Sequence, residues 1–294
     1  MRDEAYVFDI GGTTVTCALV ENWEVRDKTQ VSSKEYSSPE QLFENLIEHS
    51  FVTTQFPWIL GVPGPVEGDN RVGSMPNLGG WTGSTLRDYL KEKHVRYWLV
   101  NDATLNALGE AQARNLKTGK KLLCLTLGTG IGSGWGTAQS EGSFRPVLDR
   151  SPEVGHLVIE PGGRCCRCGK AGCWERYGSA RGLEITFWKL SGKQRQAHDI
   201  MQGRLSLYER EAIRQTGLCL GRGLAKIVDL IGPDIVVFSG GMARSFSRLE
   251  PHVKNAFQRD LFVTSRSKCS IEKSMTNLPA MMGGWMYYHC GQAT

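Results

Sequence analysis

Three times along this chain a short, mostly apolar run stops on glycine. Residues 5–10 lead into Gly11-Gly12-Thr13-Thr14, residues 122–127 into Gly128-Thr129-Gly130-Ile131-Gly132, and residues 235–239 into Gly240-Gly241. Apolar runs bounded by turn residues are the pattern of buried strands. Glycine after such a strand lets backbone N–H groups face a ligand. Glycine supplies 35 of the 294 residues, above the usual ~7%, and it gathers in such clusters, which points to binding loops made of backbone.

Between these strands lie helical patterns. Ser38-Pro39-Glu40 reads as a helix start with proline in the first turn, and Leu42, Phe43, Leu46 and Ile47 form its apolar face. Residues 84–92 and 104–115 read as further helices, and residues 15–20, 58–62 and 97–100 as strands. Strands alternating with helices predict α/β architecture, in which polar groups at the carboxyl ends of strands contact ligands. Asn101-Asp102, directly after the strand at 97–100, holds that position. The lysine-rich stretch 116–121, with Gly119 inside it, is the expected boundary between domains at 1–116 and 117–294.

Charge and cysteine narrow the function classes. The net charge of +5 arises from 35 basic and 30 acidic residues spread along the chain. The basic patches at 91–96 and 117–121 read as solvated helix ends or loops, so no nucleic-acid partner is expected. A mildly basic chain also suits anionic substrates. The first strand starts near residue 5, which leaves no room for a leader, and no apolar run is long enough to span a membrane. Four of the nine cysteines crowd at Cys165, Cys166, Cys168 and Cys173, a spacing that reads as metal binding in a reducing compartment rather than as disulfides. A cytoplasmic location without a membrane partner is expected.

Several constellations carry chemistry. Asp9-Ile10-Gly11-Gly12-Thr13-Thr14 offers what a phosphate needs: close backbone approach, two hydroxyls, and a carboxylate that orients hydrated Mg²⁺. Its bland alternative is an ordinary hairpin turn. Gly128-Thr129-Gly130 can cradle a second phosphate, and Ser239-Gly240-Gly241 can lie against a base or ribose. The chain has neither a G-x-x-x-x-G-K-[ST] loop nor a dinucleotide fingerprint.

His156, Cys166, Cys168 and Cys173 supply one imidazole and three thiolates, a closed tetrahedral set for a structural Zn²⁺. Cys165 can replace Cys166 in that set. Glu153, His156 and Glu175 flank the cysteines and suit hydrogen bonding to sugar hydroxyls; the alternative is that both glutamates sit in surface ion pairs. His49, His94, His198, His252 and His289 show no ligand spacing.

In chain order, Asp9-Ile-Gly-Gly-Thr, Gly61-Val-Pro-Gly-Pro-Val, Pro76-Asn-Leu-Gly-Gly-Trp81, Asn101-Asp-Ala, Leu127-Gly-Thr-Gly-Ile-Gly, Glu153-Val-Gly-His, the cysteine cluster with Glu175, and Ser239-Gly-Gly together resemble the ROK family of sugar kinases and sugar-responsive repressors. The resemblance implies two actin-like (ribonuclease H-like) domains closing on a central cleft, with a zinc-binding loop, and commonly a homodimer. The hinge, near residues 112–121, is read from composition alone. The resemblance implies a hexose site at Gly64, Asn77, Asn101, Asp102, Glu153, His156 and Glu175, with Asp102 as catalytic base. Zinc falls on His156, Cys166, Cys168 and Cys173, the phosphates of ATP with Mg²⁺ on the Asp9–Thr14 turn (Asp9, Gly11, Gly12, Thr13, Thr14) and on Thr129 and Gly130, and the nucleotide on Gly240 and Gly241. Many members carry lysine where Thr14 stands and proline where Gly79 stands. Glucose ranks first as substrate, then N-acetylmannosamine, N-acetylglucosamine, fructose or kanosamine. The early first strand argues against a DNA-reading module and so against a repressor, and Asp102 in this company argues against an inactive zinc module.

Overall fold

The computed structural model describes residues 4–67, 71–73, 75, 78, 81–140, 142–147, 152–262 and 269–290. Its chain divides into two units, the first made of Met1–Gly119, Gly134–Ser151 and Met275–Thr294, the second of Lys120–Ser133 and Pro152–Ser274.

Unit 1 begins with the expected hairpin. β1 (Glu4–Ile10) pairs antiparallel with β2 (Thr14–Glu21), and β2 pairs with β3 (Glu24–Ser32). Helix α1 (Pro39–His49) follows, its Ser38 side chain accepting from the Gln41 N–H and its proline in the first turn. β4 (Trp58–Val62) joins the sheet parallel to β1; the two-residue strands β5 (Val66–Glu67) and β6 (Arg71–Val72) form a small hairpin, and α2 (Gly83–Glu92) leads to β7 (Tyr97–Asn101), parallel to β4. The sheet order is β3-β2-β1-β4-β7.

Alternation along β1 sends its side chains to two different layers. Phe8 meets Trp58 at 4.9 Å and Phe43 edge-on at 5.4 Å, and Phe43 stacks on Tyr89 of α2 at 5.6 Å. That aromatic cluster fixes α1 and α2 on one face. Helix α3 (Asp102–Ala113) follows β7 directly.

The chain then enters unit 2 through β8 (Lys121–Leu127). Strand β9 (Ile131–Ser140) starts beside β8 and returns to unit 1, where it forms a hairpin with β10 (Ser143–Pro146). After the cysteine-rich segment come α4 (Glu175–Gly178), α5 (Ala180–Ser191), α6 (Ala197–Ile200) and the 25-residue α7 (Leu207–Ile231). A capping box of Ser206 and Glu209 starts α7, and Gly232, at φ 61°, ends it. β11 (Ile235–Ser239) lies parallel to β8 and, after α8 (Phe246–Asp260), to β12 (Ser270–Lys273). No helix among the described residues is long and apolar enough to cross a membrane.

Finally α9 (Pro279–Cys290) rejoins unit 1. Gly283 lies under the Leu105 carbonyl of α3 and Gly284 under the Val7 side chain of β1, so closely that a Cβ at either would collide. This contact sets the composition of unit 1 apart from the 1–116 and 117–294 division read along the sequence. The first crossing, between Gly119 and Lys120, falls inside the lysine-rich stretch, but residues 134–151 and 275–294 return to the first unit. An apolar helix such as α9 belongs to the surface that buries it, whatever its place in the chain.

Candidate active site and metal cluster

Unit 1 places three expected segments along one edge of its sheet. β1, β4 and β7 run parallel with Asp9 opposite Gly61 and Gly61 opposite Val100. The residues that follow each strand therefore leave the sheet at the same edge, where α/β proteins hold ligands. They are the Asp9–Thr14 turn, the loop at 61–66 and Asn101-Asp102. Gly61 runs so close to the third segment that a Cβ there would lie 3.4 Å from the Asp102 Cα.

The turn is closed by the Gly11 N–H, which donates to the Thr14 carbonyl at 2.9 Å, and braced by the Ser33 N–H on the Thr13 carbonyl at 3.1 Å. Gly12 and Thr13 form its tip, with Thr13 exposed. Asp9 is partly buried, and desolvation pushes its carboxyl from 3.8 up to about 6. A carboxylate held in so poor a solvent lacks the counter-charge that a hydrated cation would provide.

Asn101 explains why α3 starts at Asp102 and not at Thr104 as the sequence pattern suggests. Its Oδ1 accepts the Thr104 N–H at 3.1 Å, making it the N-cap. Its Nδ2 donates to the Gly64 carbonyl at 3.0 Å, and Gly64 adopts φ 113°, which side-chain-bearing residues rarely do. Asn101 thus ties the 61–66 loop to the helix start. Asp102 is the first helical residue, partly exposed, with its Oδ1 accepting the Ala103 N–H at 2.7 Å. A helix N-terminus carries partial positive charge, which a negatively charged side chain placed there complements. Asn77 lies outside the described residues.

In unit 2 the two remaining glycine turns are neighbours. β8 and β11 run parallel with Thr126 opposite Ser239, and Gly240, at φ 87°, lies against the Leu127 carbonyl. The Gly128 N–H donates to the Gly130 carbonyl at 3.1 Å and the Ala180 N–H to the Gly128 carbonyl at 2.9 Å. Thr129 stands exposed at the tip. Two backbone-rich turns at adjacent strand ends are suited to polyphosphate and ribose.

The cysteine-rich segment of the same unit gathers its ligand set. One donor atom from each of His156, Cys166, Cys168 and Cys173 lies within 4.8 Å of the other three. Cys168 and Cys173 Sγ are 3.5 Å apart, as are Cys166 Sγ and His156 Nδ1, separations that suit Zn–S and Zn–N bonds of about 2.3 and 2.0 Å in a tetrahedron. The donors therefore fit zinc. Cys165, the alternative ligand, is exposed and outside this set. Burial first, and the hydrogen bond to Glu175 after it, push the Cys166 thiol up to about 12. Such a thiol stays protonated without a metal to take the proton's place.

Both flanking glutamates reach the histidine. Glu153 Oε2 lies 3.9 Å from His156 Nε2, and Glu175 Oε1 lies 3.8 Å from Nδ1. With Nδ1 turned to the cysteines, Glu153 stands where a carboxylate orients a metal-bound imidazole. Partial burial raises the Glu153 carboxyl above its ordinary value, against the pull of His156.

Arg164 is a supporting residue that the sequence reading passed over. Its guanidinium donates to the Arg176 and Gly182 carbonyls and to the Thr186 hydroxyl, and covers the Tyr177 ring at 4.5 Å. Trp174, fully buried, donates to the Cys219 carbonyl of α7 at 2.9 Å. Together they anchor the cysteine-rich loop to α5 and α7. An arginine in a glycine-rich loop has no sequence signature that separates it from a surface charge.

The two mixed α/β sheets with their glycine turns match solved structures of the actin-like fold. The crystal structure of a ROK family glucokinase from Streptomyces griseus in complex with glucose and AMPPNP superposes with a TM-score of 0.80 at 21% identity, covering 96% of this chain and 97% of that one. The ROK family sequence model matches residues 5–289, and the chain belongs to the ROK family. It is 26% identical to the glucokinase of Halalkalibacterium halodurans over 97% of this chain and 96% of that protein. It is also 29% identical to the xylose repressor of Bacillus subtilis over 85% of this chain, and spans 65% of that protein's length.

Proposed function

We propose that this chain is an ATP-dependent hexose kinase that transfers the γ-phosphoryl group to a sugar hydroxyl, with glucose O6 ranked first among acceptors. N-acetylmannosamine, N-acetylglucosamine, fructose and kanosamine follow, because the site residues address hydroxyls that most hexoses share. The observation that carries the reading is the placing of Asp102 at a helix start beside the 61–66 loop, on the sheet edge that also holds the Asp9 turn. A general base needs a carboxylate kept ionised and within reach of an alcohol.

In this reading Asp102 accepts the hydroxyl proton while the sugar oxygen attacks the γ-phosphorus and the bond to ADP breaks. Asn101 holds Gly64 and the helix start in register, and Asn77, Glu153, His156 and Glu175 bind the other hydroxyls. Gly11, Gly12, Thr13, Thr14, Thr129 and Gly130 donate to phosphate oxygens, and Gly240 and Gly241 let the nucleoside lie on bare backbone. Asp9 orients hydrated Mg²⁺, which when bound supplies positive charge to the phosphates. Zinc on His156, Cys166, Cys168 and Cys173 would order the loop that carries Glu175 and would take no part in bond making. Phosphoryl transfer asks chiefly for positioning of the reacting groups.

A coupled assay for ADP release over about ten hexoses tests the proposal. Release dependent on at least one hexose is expected; ATP turnover by none of them would remove it. The likeness to a xylose repressor favours a second reading, a sugar-responsive DNA-binding regulator. Sequence-specific shifting of a DNA probe, released by sugar, without ADP formation, would put that reading first. A homodimer in the reducing cytoplasm completes the proposal, and sedimentation of the purified protein checks the association state.

A further inference from the structure

One side chain of unit 2 touches both the metal ligands and a glycine turn. Glu175 opens α4, and its Oε1 accepts from the Cys166 thiol at 3.2 Å and lies 3.8 Å from His156 Nδ1. Its other oxygen, Oε2, rests against Gly130: a Cβ built on that glycine would sit 2.6 Å away. The same short segment meets the turn a second time, where the Ala180 N–H donates to the Gly128 carbonyl. Gly178 also packs against the Ile131 side chain, 3.1 Å from the position of its absent Cβ.

We propose that Glu175 is a positioning residue that couples the His156, Cys166, Cys168 and Cys173 cluster to the Gly128-Thr129-Gly130 turn, so that metal on the cluster and a phosphate on the turn alter each other's affinity. A carboxylate bonded to the cluster through Oε1 and packed beside Gly130 through Oε2 cannot shift toward one without leaving the other. Three thiolates around a divalent ion leave one net negative charge, so a carboxylate forced toward the cluster weakens metal binding by like-charge repulsion. A carboxylate drawn toward the turn meets an arriving phosphate in the same unfavourable way. The bound state of either site therefore sets where Glu175 rests for the other, and linkage makes the effect mutual.

This coupling goes beyond the kinase reading, and only its nucleotide half rests on that reading. The substitution Gly130→Ala isolates it. Gly130 is not in the left-handed backbone region, and among the described residues its new methyl would meet the Glu175 carboxyl group alone. The main chain therefore accepts alanine, and the carboxylate must move.

The full chain is loaded with Zn²⁺, and metal release to an excess of a chromophoric chelator is followed without hexose or nucleotide. Circular dichroism melts confirm that each variant is folded. Gly130→Ala is expected to release zinc roughly fivefold faster or more than the parent. In a Glu175→Gln background, which keeps size and removes charge, the same methyl should change the rate less than about twofold. AMPPNP should bind the metal-filled and metal-stripped protein with affinities that differ by the factor by which AMPPNP changes zinc affinity. Release from Gly130→Ala at the parental rate, or an acceleration that survives Glu175→Gln, overturns the coupling. Failure of the parent chain to take up zinc overturns it too, while leaving hexose-dependent ADP release to be judged by its own assay.

Discussion

Asp9→Asn should make the ligand-free protein more stable, and only above a particular pH. The Asp9 carboxyl is raised from 3.8 to about 6 by desolvation. A carboxyl with a raised folded-state pKa binds more protons folded than unfolded between those two values, so stability falls as pH rises through that window. Above about pH 6 the loss is complete, and a shift of about two units corresponds to roughly 3 kcal/mol at most. Asparagine keeps the shape and carries no charge at any of these pH values. The variant should therefore gain about 1.5–3 kcal/mol at about pH 8 and nothing at about pH 4. Urea denaturation at a series of pH values, with magnesium removed, measures the gain as the distance between two stability curves. Curves that coincide at about pH 8, or a gap of constant size across the range, would refute the reasoning. If Asp9 orients Mg²⁺ as proposed, added Mg²⁺ with ATP should stabilise the parent protein more than the variant, because the cation would offset the desolvation of the Asp9 carboxylate.

Stripping the metal should remove zinc from a protein purified with about one equivalent, and weaken hexose binding at a chelator dose that leaves the melting of the rest of the chain in place; metal analysis and calorimetry read the two effects. Gly283→Ala drives a methyl into the Leu105 carbonyl, so it should destabilise unit 1 by about 1–3 kcal/mol or more in denaturant unfolding. A variant as stable as the parent would mean that α9 does not pack on α3 as described. Trp174→Phe loses the bond from Nε1 to the Cys219 carbonyl and should cost about 1 kcal/mol or more by the same measurement, through the lost hydrogen bond and the smaller buried ring.

The parts of this fold that the sequence made legible are those whose signal is local. β1, β4, β7, β8 and β11 are short apolar runs ending in glycine or in Asn-Asp, and each lies within a residue or two of its expected place. The side chains of His156, Cys166, Cys168 and Cys173 lie together in one group that could hold a metal ion, and Cys165 is outside it. What stayed hidden depends on partners distant in sequence. β3, with Glu24, Arg26, Asp27 and Lys28 along it, is a polar edge strand that exists because β2 pairs with it. The return of α9 to unit 1 rests on Gly283 and Gly284, whose contacts with Leu105 and Val7 are with residues far away in sequence. Asn101, expected from the sequence as a substrate contact, is in the structure a cap and a tether to Gly64, two uses that only three-dimensional neighbours reveal. The contact of Glu175 with Gly130 bridges 45 residues of sequence and left no trace in either motif.

The central claim is that the Asp102 carboxylate takes the proton from the acceptor alcohol. Its most direct test is hexose-dependent ADP formation by Asp102→Asn beside the parent, with sugar affinity measured on both. A fall in kcat on the order of 10²-fold or more, with the hexose still bound and the protein still folded, is the predicted result. Near-parental turnover by the asparagine variant would contradict it.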